Sequence, residues 1–147
     1  MILGLRYLWF CRSATNQHGV HSPFVFDFIC SCFYTSSWKS IRFFPWRQKQ
    51  FSKINTLFTH QIRQYFDKQN VLTQVNYTLH FFDWTTKQFP TVTPKSDDIW
   101  VFSGVHHHRK AWQKSVATAP VVLDFYFWGI LCFKTDQAQQ SFLLRIF

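Results

Sequence analysis

The stretch HGVHSPFVFDFI, residues 18–29, sets His18 and His21 three apart around Gly19. Imidazole titrates near neutral pH, so either ring can act as a general base where its loop covers a cleft. A second group, His106, His107 and His108, follows Gly104. Neighbouring histidines on a helix point in different directions, so at most two of these can share a metal ion. No Cys or Glu lies nearby to complete a tetrahedral set, and a solvated helix start is the expectation. Asp97 and Asp98 precede IWVF. Paired carboxylates can hold a hard cation, but before a strand capping and solvation are commoner. No metal site is expected.

Other chemistries are excluded by what the chain lacks. All 7 acidic residues are Asp, so no Glu base or Glu ligand exists. Carboxylate chemistry must come from Asp27, Asp67, Asp83, Asp97, Asp98, Asp124 or Asp136. The 4 glycines, Gly4, Gly19, Gly104 and Gly129, are too dispersed to form a glycine-rich phosphate cradle. No G-x-S-x-G occurs, and no cysteine has a neighbouring base, so a nucleophilic triad has no local signature. Cys30 and Cys32 are separated by one residue, which is not a zinc-finger spacing, and no second pair follows. Together with Cys11 and Cys132 they read as buried free thiols in a reducing compartment.

At 147 residues, 47% hydrophobic and 21% aromatic, the chain can build the core of one domain and is too apolar for disorder. A formal charge of +9 suggests anionic partners such as nucleic acid, nucleotides or a membrane surface. The basic residues are scattered, with modest density at Arg42–Lys53 and Arg109–Lys114. The N-terminal MILGLRYLWFCRS carries Arg6 inside its apolar run and lacks a small-residue cleavage site, which makes a poor signal peptide. The later apolar runs contain Asp27 or Asp124 and are short for a bilayer span. The expectation is a cytoplasmic protein with no membrane span.

The elements that must position these groups follow from pattern. Residues 2–12 suit a short amphipathic helix, and 13–19 a polar loop. Ser22 is an N-cap and Pro23 a first helical residue, followed by a helix over Phe24–Tyr34 that is apolar nearly all round and so largely buried. TSSWKS breaks the pattern and Pro45 ends a short aromatic stretch. From about Gln48 to Gln69, Phe51, Ile54, Leu57, Phe58, Ile62, Tyr65 and Phe66 recur at helical steps. VLTQVNYTLHFF, 71–82, reads as a strand. DWTTKQFPTVTPKSDD reads as loop with one helical turn, and IWVFSG, 99–104, as a buried strand. A helix from near His106 to about Ala117 follows, then strands VVLDFYF and GILCFK around Trp128 and Gly129, then a helical turn and a last strand in AQQSFLLRIF. This order predicts a short α/β sheet with a helical N-terminal layer, residues 1–70 and 71–147, in a single compact domain.

Two stretches resemble a known family. HGVHSPFVFDFI is similar to the entry segment of a group of class I methyltransferases that use S-adenosyl-L-methionine (SAM) and are related to the O-methyltransferases. DDIWVFSGVHHHRKAW through VVLDFYFWGILCFKTDQAQQSFLLRIF resembles that family's ending: a strand with a Phe-Asp-Asp-Ile-His run, a helix with a Trp, and a hairpin with an aromatic-Trp-Gly turn. Trp128 and Gly129 match the turn, and Asp136, Gln137 and Ala138 the closing segment. FSKINTLFTHQIRQYF and VLTQVNYTL are similar to the family's second helix and the strand after it.

The resemblance implies an incomplete Rossmann-like methyltransferase sheet, with a helical N-terminal cap and a C-terminal antiparallel hairpin. It carries His18, His21 and His106 over as candidate catalytic residues. The departures are as informative. The family's central block, with the glycine-bearing turn that holds SAM, has no counterpart, and Ser103 and Gly104 stand where the family has its Asp-Asp pair. The function implied is a methyltransferase-like protein that is degenerate or inactive on its own, with SAM as cofactor only if the activity is retained. A sheet short of its inner strands exposes an edge, which implies pairing with itself or with a protein partner. The alternative is a non-catalytic basic module that binds nucleic acid or an acidic protein.

Overall fold

The computed structural model describes residues 2–35, 38, 41 and 48–146. Its contacts divide the chain into two compact units, Met1–Lys68 with Leu143–Phe147, and Gln69–Phe142. The break expected at Pro45 lies outside the described residues.

The first unit begins with α1, Ile2–Ser13. Among the side chains described, the helix buries one residue and exposes a stripe. Phe10 is buried, whereas Leu5, Leu8 and Trp9 face solvent. The loop that follows is tied to the C-terminal segment: Thr15 N donates to Leu143 O (2.8 Å) and Arg145 N to Thr15 O (2.8 Å). The next helix, α2 (Pro23–Cys32), starts where the sequence places it. Ser22 Oγ accepts from Val25 N at 3.4 Å, and Pro23 occupies the first turn, where its missing N–H costs nothing. Burial is on one face rather than all round: Val25, Phe28, Ile29 and Cys32 are inside, at helical steps, while Phe26 and Asp27 are exposed. A single helix offers only a stripe to its core, so an all-apolar sequence still leaves a face outside.

Helix α3 (Gln48–Thr73) supplies the opposing stripe, with Ile54, Phe58, Ile62, Tyr65 and Phe66 buried. Phe28 meets the rings of Tyr65 and Phe66, each at 5.0 Å between centroids. Tyr65 Oη donates to Asp27 Oδ2 at 2.7 Å, satisfying a hydroxyl that the core would otherwise strand. Cys32 is also buried, and burial raises its thiol pKa well above the usual range.

The helix overruns its expected end and shortens the strand expected over 71–82. Val71 and Leu72 are exposed in its last turn, and Gln74, at φ 57°, stops it. Asn70 then clasps Tyr77: Tyr77 N donates to Asn70 Oδ1 (2.7 Å), and Asn70 Nδ2 donates to Tyr77 O (3.1 Å). The strand proper, β1, is Thr78–Asp83.

The second unit is built on a mixed sheet of five strands in the order β1-β2-β4-β3-β5. The others are β2 (Asp98–Ser103), β3 (Val121–Asp124), β4 (Trp128–Cys132) and β5 (Gln140–Leu143). β1 and β2 are parallel, with Asp83 opposite Ser103. β4 runs antiparallel to both β2 and β3, with Gly129 opposite Phe102 on one side and Asp124 on the other. β2, β3 and β4 are buried throughout, as their unbroken apolar runs require. α4 (Arg109–Val116) bridges β2 and β3 and buries Trp112 in a cluster with Trp84, Trp100, Phe102, Val122 and Leu131. The α/β class and the C-terminal antiparallel hairpin are as expected, in a layout consistent with a Rossmann-like sheet.

The hairpin turn differs. Trp128 and Gly129 do not form it but open β4. The turn is Phe125–Phe127: Phe127 N donates to Phe125 O, Phe125 N donates to Trp128 O (each 2.9 Å), and Tyr126 adopts φ 71°. Gly129 serves another purpose. A Cβ there would lie 2.6 and 2.7 Å from ring carbons of Trp112.

Candidate functional site

In open α/β sheets, ligands bind beyond the carboxyl ends of the parallel strands. Here that end gathers Asp83 from β1, Ser103 from β2 with Gly104 just after it, Asp124 from β3, and the segment His106–Arg109. Asp83 caps a single helical turn, Trp84–Thr86. Its Oδ1 accepts from Thr85 N (2.9 Å), Thr85 Oγ1 (2.6 Å) and Ser103 Oγ (3.1 Å). Gly104 has φ 76°, a conformation glycine adopts without penalty. Thr85 presses on it: a Cβ at Gly104 would lie 2.7 Å from Thr85 Cγ2 and 2.9 Å from Thr85 N.

Asp124 is buried and fully engaged. Arg109 clamps it with two N–H groups, Nη1 to Oδ1 (3.0 Å) and Nη2 to Oδ2 (2.8 Å). Trp112 Nε1 donates to Oδ2 (2.9 Å), and Tyr126 N donates to Oδ1 (2.8 Å). One carboxylate therefore fixes α4 to β3 and holds Tyr126 in its left-handed turn. The Arg109 guanidinium also lies 5.5 Å from the Tyr126 ring centroid, so cation–π attraction adds to the clamp.

His106 sits in the turn Val105–His107, with its ring 4.7 Å from that of Phe127 and 6.2 Å from that of Tyr126. Burial, then the charges of His107, Arg109 and His108, push its pKa from 6.5 down to about 3. A ring that stays neutral to that pH is a weak base at neutral pH. On acidification the unfolded chain takes up this proton near pH 6.5 and the folded chain only near pH 3. His106 therefore weakens the fold as pH falls through that window. In His106→Gln, the melting temperature should fall less between pH 6.5 and 4 than in the parent, as read by thermal circular dichroism. His108 has a different task. Its Nε2 lies 3.1 Å from Trp84 O, and since a carbonyl only accepts, that nitrogen carries the hydrogen.

His18 and His21 belong to the first unit. Both are exposed. His18 lies in the turn Gln17–Gly19, where Asn16 Oδ1 accepts from its backbone N at 3.1 Å. Gly19 is required because Thr15 fills the place of a Cβ, its own Cβ and Cγ2 lying 2.8 and 2.9 Å away. Asp97 and Asp98 stand at the amino ends of β1 and β2, away from the strand termini where ligands bind. Asp98 is buried, accepts from Lys95 N (2.9 Å) and faces His80 Nε2 at 3.6 Å. Asp97 adopts φ 65°. Among the described residues, no group of three or more His, Cys or Asp side chains is placed to hold a metal ion.

The roles of Asp83 and Asp124 went unread in the sequence. A signal existed for the second: Arg109 and Trp112 are three apart, so a helix turns both to one face.

The SAM expected for the resembled family needs a strand-end turn with room for the nucleoside and a carboxylate for its ribose. The residues here do not fit it. In the turn after β1 Trp84 is committed to the core cluster, and Thr85 fills the space beside Gly104 at the end of β2. Asp124 has no oxygen left over. No family model, no curated protein and no solved structure matches the chain.

Proposed function

We propose that the chain is a methyltransferase-like α/β scaffold, degenerate at its cofactor end and without methyl-transfer activity on its own. The observation that carries this reading is the filling of the strand carboxyl ends. Trp84 and Thr85 form the turn after β1, Thr85 packs against Gly104 at the end of β2, and Asp124 is spent on Arg109, Trp112 and Tyr126. Two further observations support it. The antiparallel β3–β4 hairpin that the resemblance implies is present, though it lies inside the sheet between β2 and β5 and not at an edge. Among the described residues, β1 has a strand neighbour on one side only.

Such an edge is a template for pairing. The scaffold therefore works by association, with a second copy or a protein partner at β1. A ligand that binds only the folded state raises its stability, by about 2.7 kcal/mol at a hundredfold excess over Kd. The expected result is an unfolding midpoint that saturating SAM leaves unchanged. A midpoint that climbs with SAM concentration would overturn the proposal. The +9 charge favours the second reading, a basic module for nucleic acid or an acidic protein. Binding to single-stranded oligonucleotides that falls steeply with salt would decide for it.

A further inference from the structure

Helix α1 presents an apolar face to solvent. Leu5, Leu8 and Trp9 are 65%, 64% and 77% exposed, and their spacing at i, i+3 and i+4 sets them side by side. The helix is held from elsewhere. Phe10 is buried, Arg145 Nη1 donates to Cys11 O at 3.4 Å, and the loop after the helix is fastened to Leu143 and Arg145. The exposed stripe is thus not needed for the helix to stay in place.

Its borders are basic. Arg6 lies beside the stripe and Arg12 continues it by one turn, and both are exposed. No carboxylate occurs before Asp27, so nothing on this segment neutralises the two guanidinium groups. Large apolar side chains flanked by arginines, with a Trp at their centre, match the two layers of a bilayer surface: hydrocarbon below, anionic headgroups above. Guanidinium groups pair with phosphate through parallel N–H bonds. At 12 residues the helix is about 18 Å long, short of the ~30 Å hydrocarbon core, so it would lie in the surface. Among the described residues no helix is long and apolar enough to cross a membrane.

We infer that the Leu5–Leu8–Trp9 face of α1 docks the protein on an anionic lipid bilayer. The occupant is a membrane surface and not a second copy, because a copy of this cationic, carboxylate-free face would repel it. The inference goes beyond the scaffold reading and does not depend on it.

The test is co-sedimentation of the full chain with vesicles of phosphatidylcholine alone, and with vesicles containing about a third phosphatidylserine. The protein should pellet with the anionic vesicles, and less as salt rises. Leu5→Ser/Trp9→Ser should lower the partition coefficient at least about tenfold, a loss of roughly one decade in affinity. Val71→Ser/Leu72→Ser removes equally exposed apolar side chains from α3 and should bind as the parent does. All four sites are exposed, so circular dichroism should match the parent for both variants. Equal binding by parent and Leu5→Ser/Trp9→Ser, or no pelleting with anionic vesicles, would overturn the inference. So would a dimer in light scattering that this variant abolishes, since the face would then belong to a second copy.

Discussion

Asp124→Ala should lower the stability of the protein by about 3 kcal/mol at neutral pH, the cost of removing a buried carboxylate that several donors share. The carboxylate is 4% exposed and accepts from Arg109, Trp112 and Tyr126. Alanine leaves each donor facing a hole. Arg109 is a third exposed and can recover some water, which limits its share. Trp112 Nε1 and Tyr126 N are enclosed and cannot, and each orphaned donor costs about 1–3 kcal/mol. The turn loses its anchor as well, and Tyr126 at φ 71° stores strain of about 1–3 kcal/mol that the anchor offsets. Asp124→Asn keeps the shape and part of the bonding and should lose less. Urea unfolding followed by tryptophan fluorescence reads both. A loss under about 1 kcal/mol for the alanine variant, the worth of an ordinary hydrogen bond, would show that the carboxylate does not organise this end of the sheet.

Gly129→Ala should cost about 1–3 kcal/mol, and more if the sheet cannot yield. The new methyl would enter the Trp112 ring. That ring is almost wholly buried, is packed 5.7 Å from Phe102 between centroids, and is pinned by its bond to Asp124. It has no free direction in which to move. β4 cannot withdraw either, since it is bonded to β2 and β3 on its two sides. The same substitution made together with Trp112→Phe, which shortens the ring system, should recover part of the loss. A fully stable single variant, read by the same unfolding curves, would mean that the sheet is looser than its burial implies.

These two residues show where sequence reading stops. The start of α2 was legible because its information is local: Ser22 and Pro23 need only their own neighbours. The stripe of α3 and the apolar runs of β2, β3 and β4 were legible by period and length. Strand order was not, since nothing in VVLDFYF says that β4 will lie between it and β2. The hairpin turn was misplaced because Gly129 is the nearest turn-like residue. Tyr126 takes the left-handed position instead, held by an aspartate two residues earlier. Val71 and Leu72 look like strand residues, yet they end a helix with their side chains in water. Asp83 and Asp124 hid their roles because their partners, Ser103 and Arg109, stand 20 and 15 residues away. His106 could be picked out as titratable, but its near-permanent neutrality depends on burial and on the charges packed around it.

The reading of the strand ends as filled rather than receptive meets its most direct test in calorimetric titration of the purified, folded chain with SAM. The account predicts no saturable heat, with circular dichroism confirming the α/β fold in the same sample. Saturable binding would contradict it, since Trp84 and Thr85 would then have to leave the positions they hold in the turn after β1.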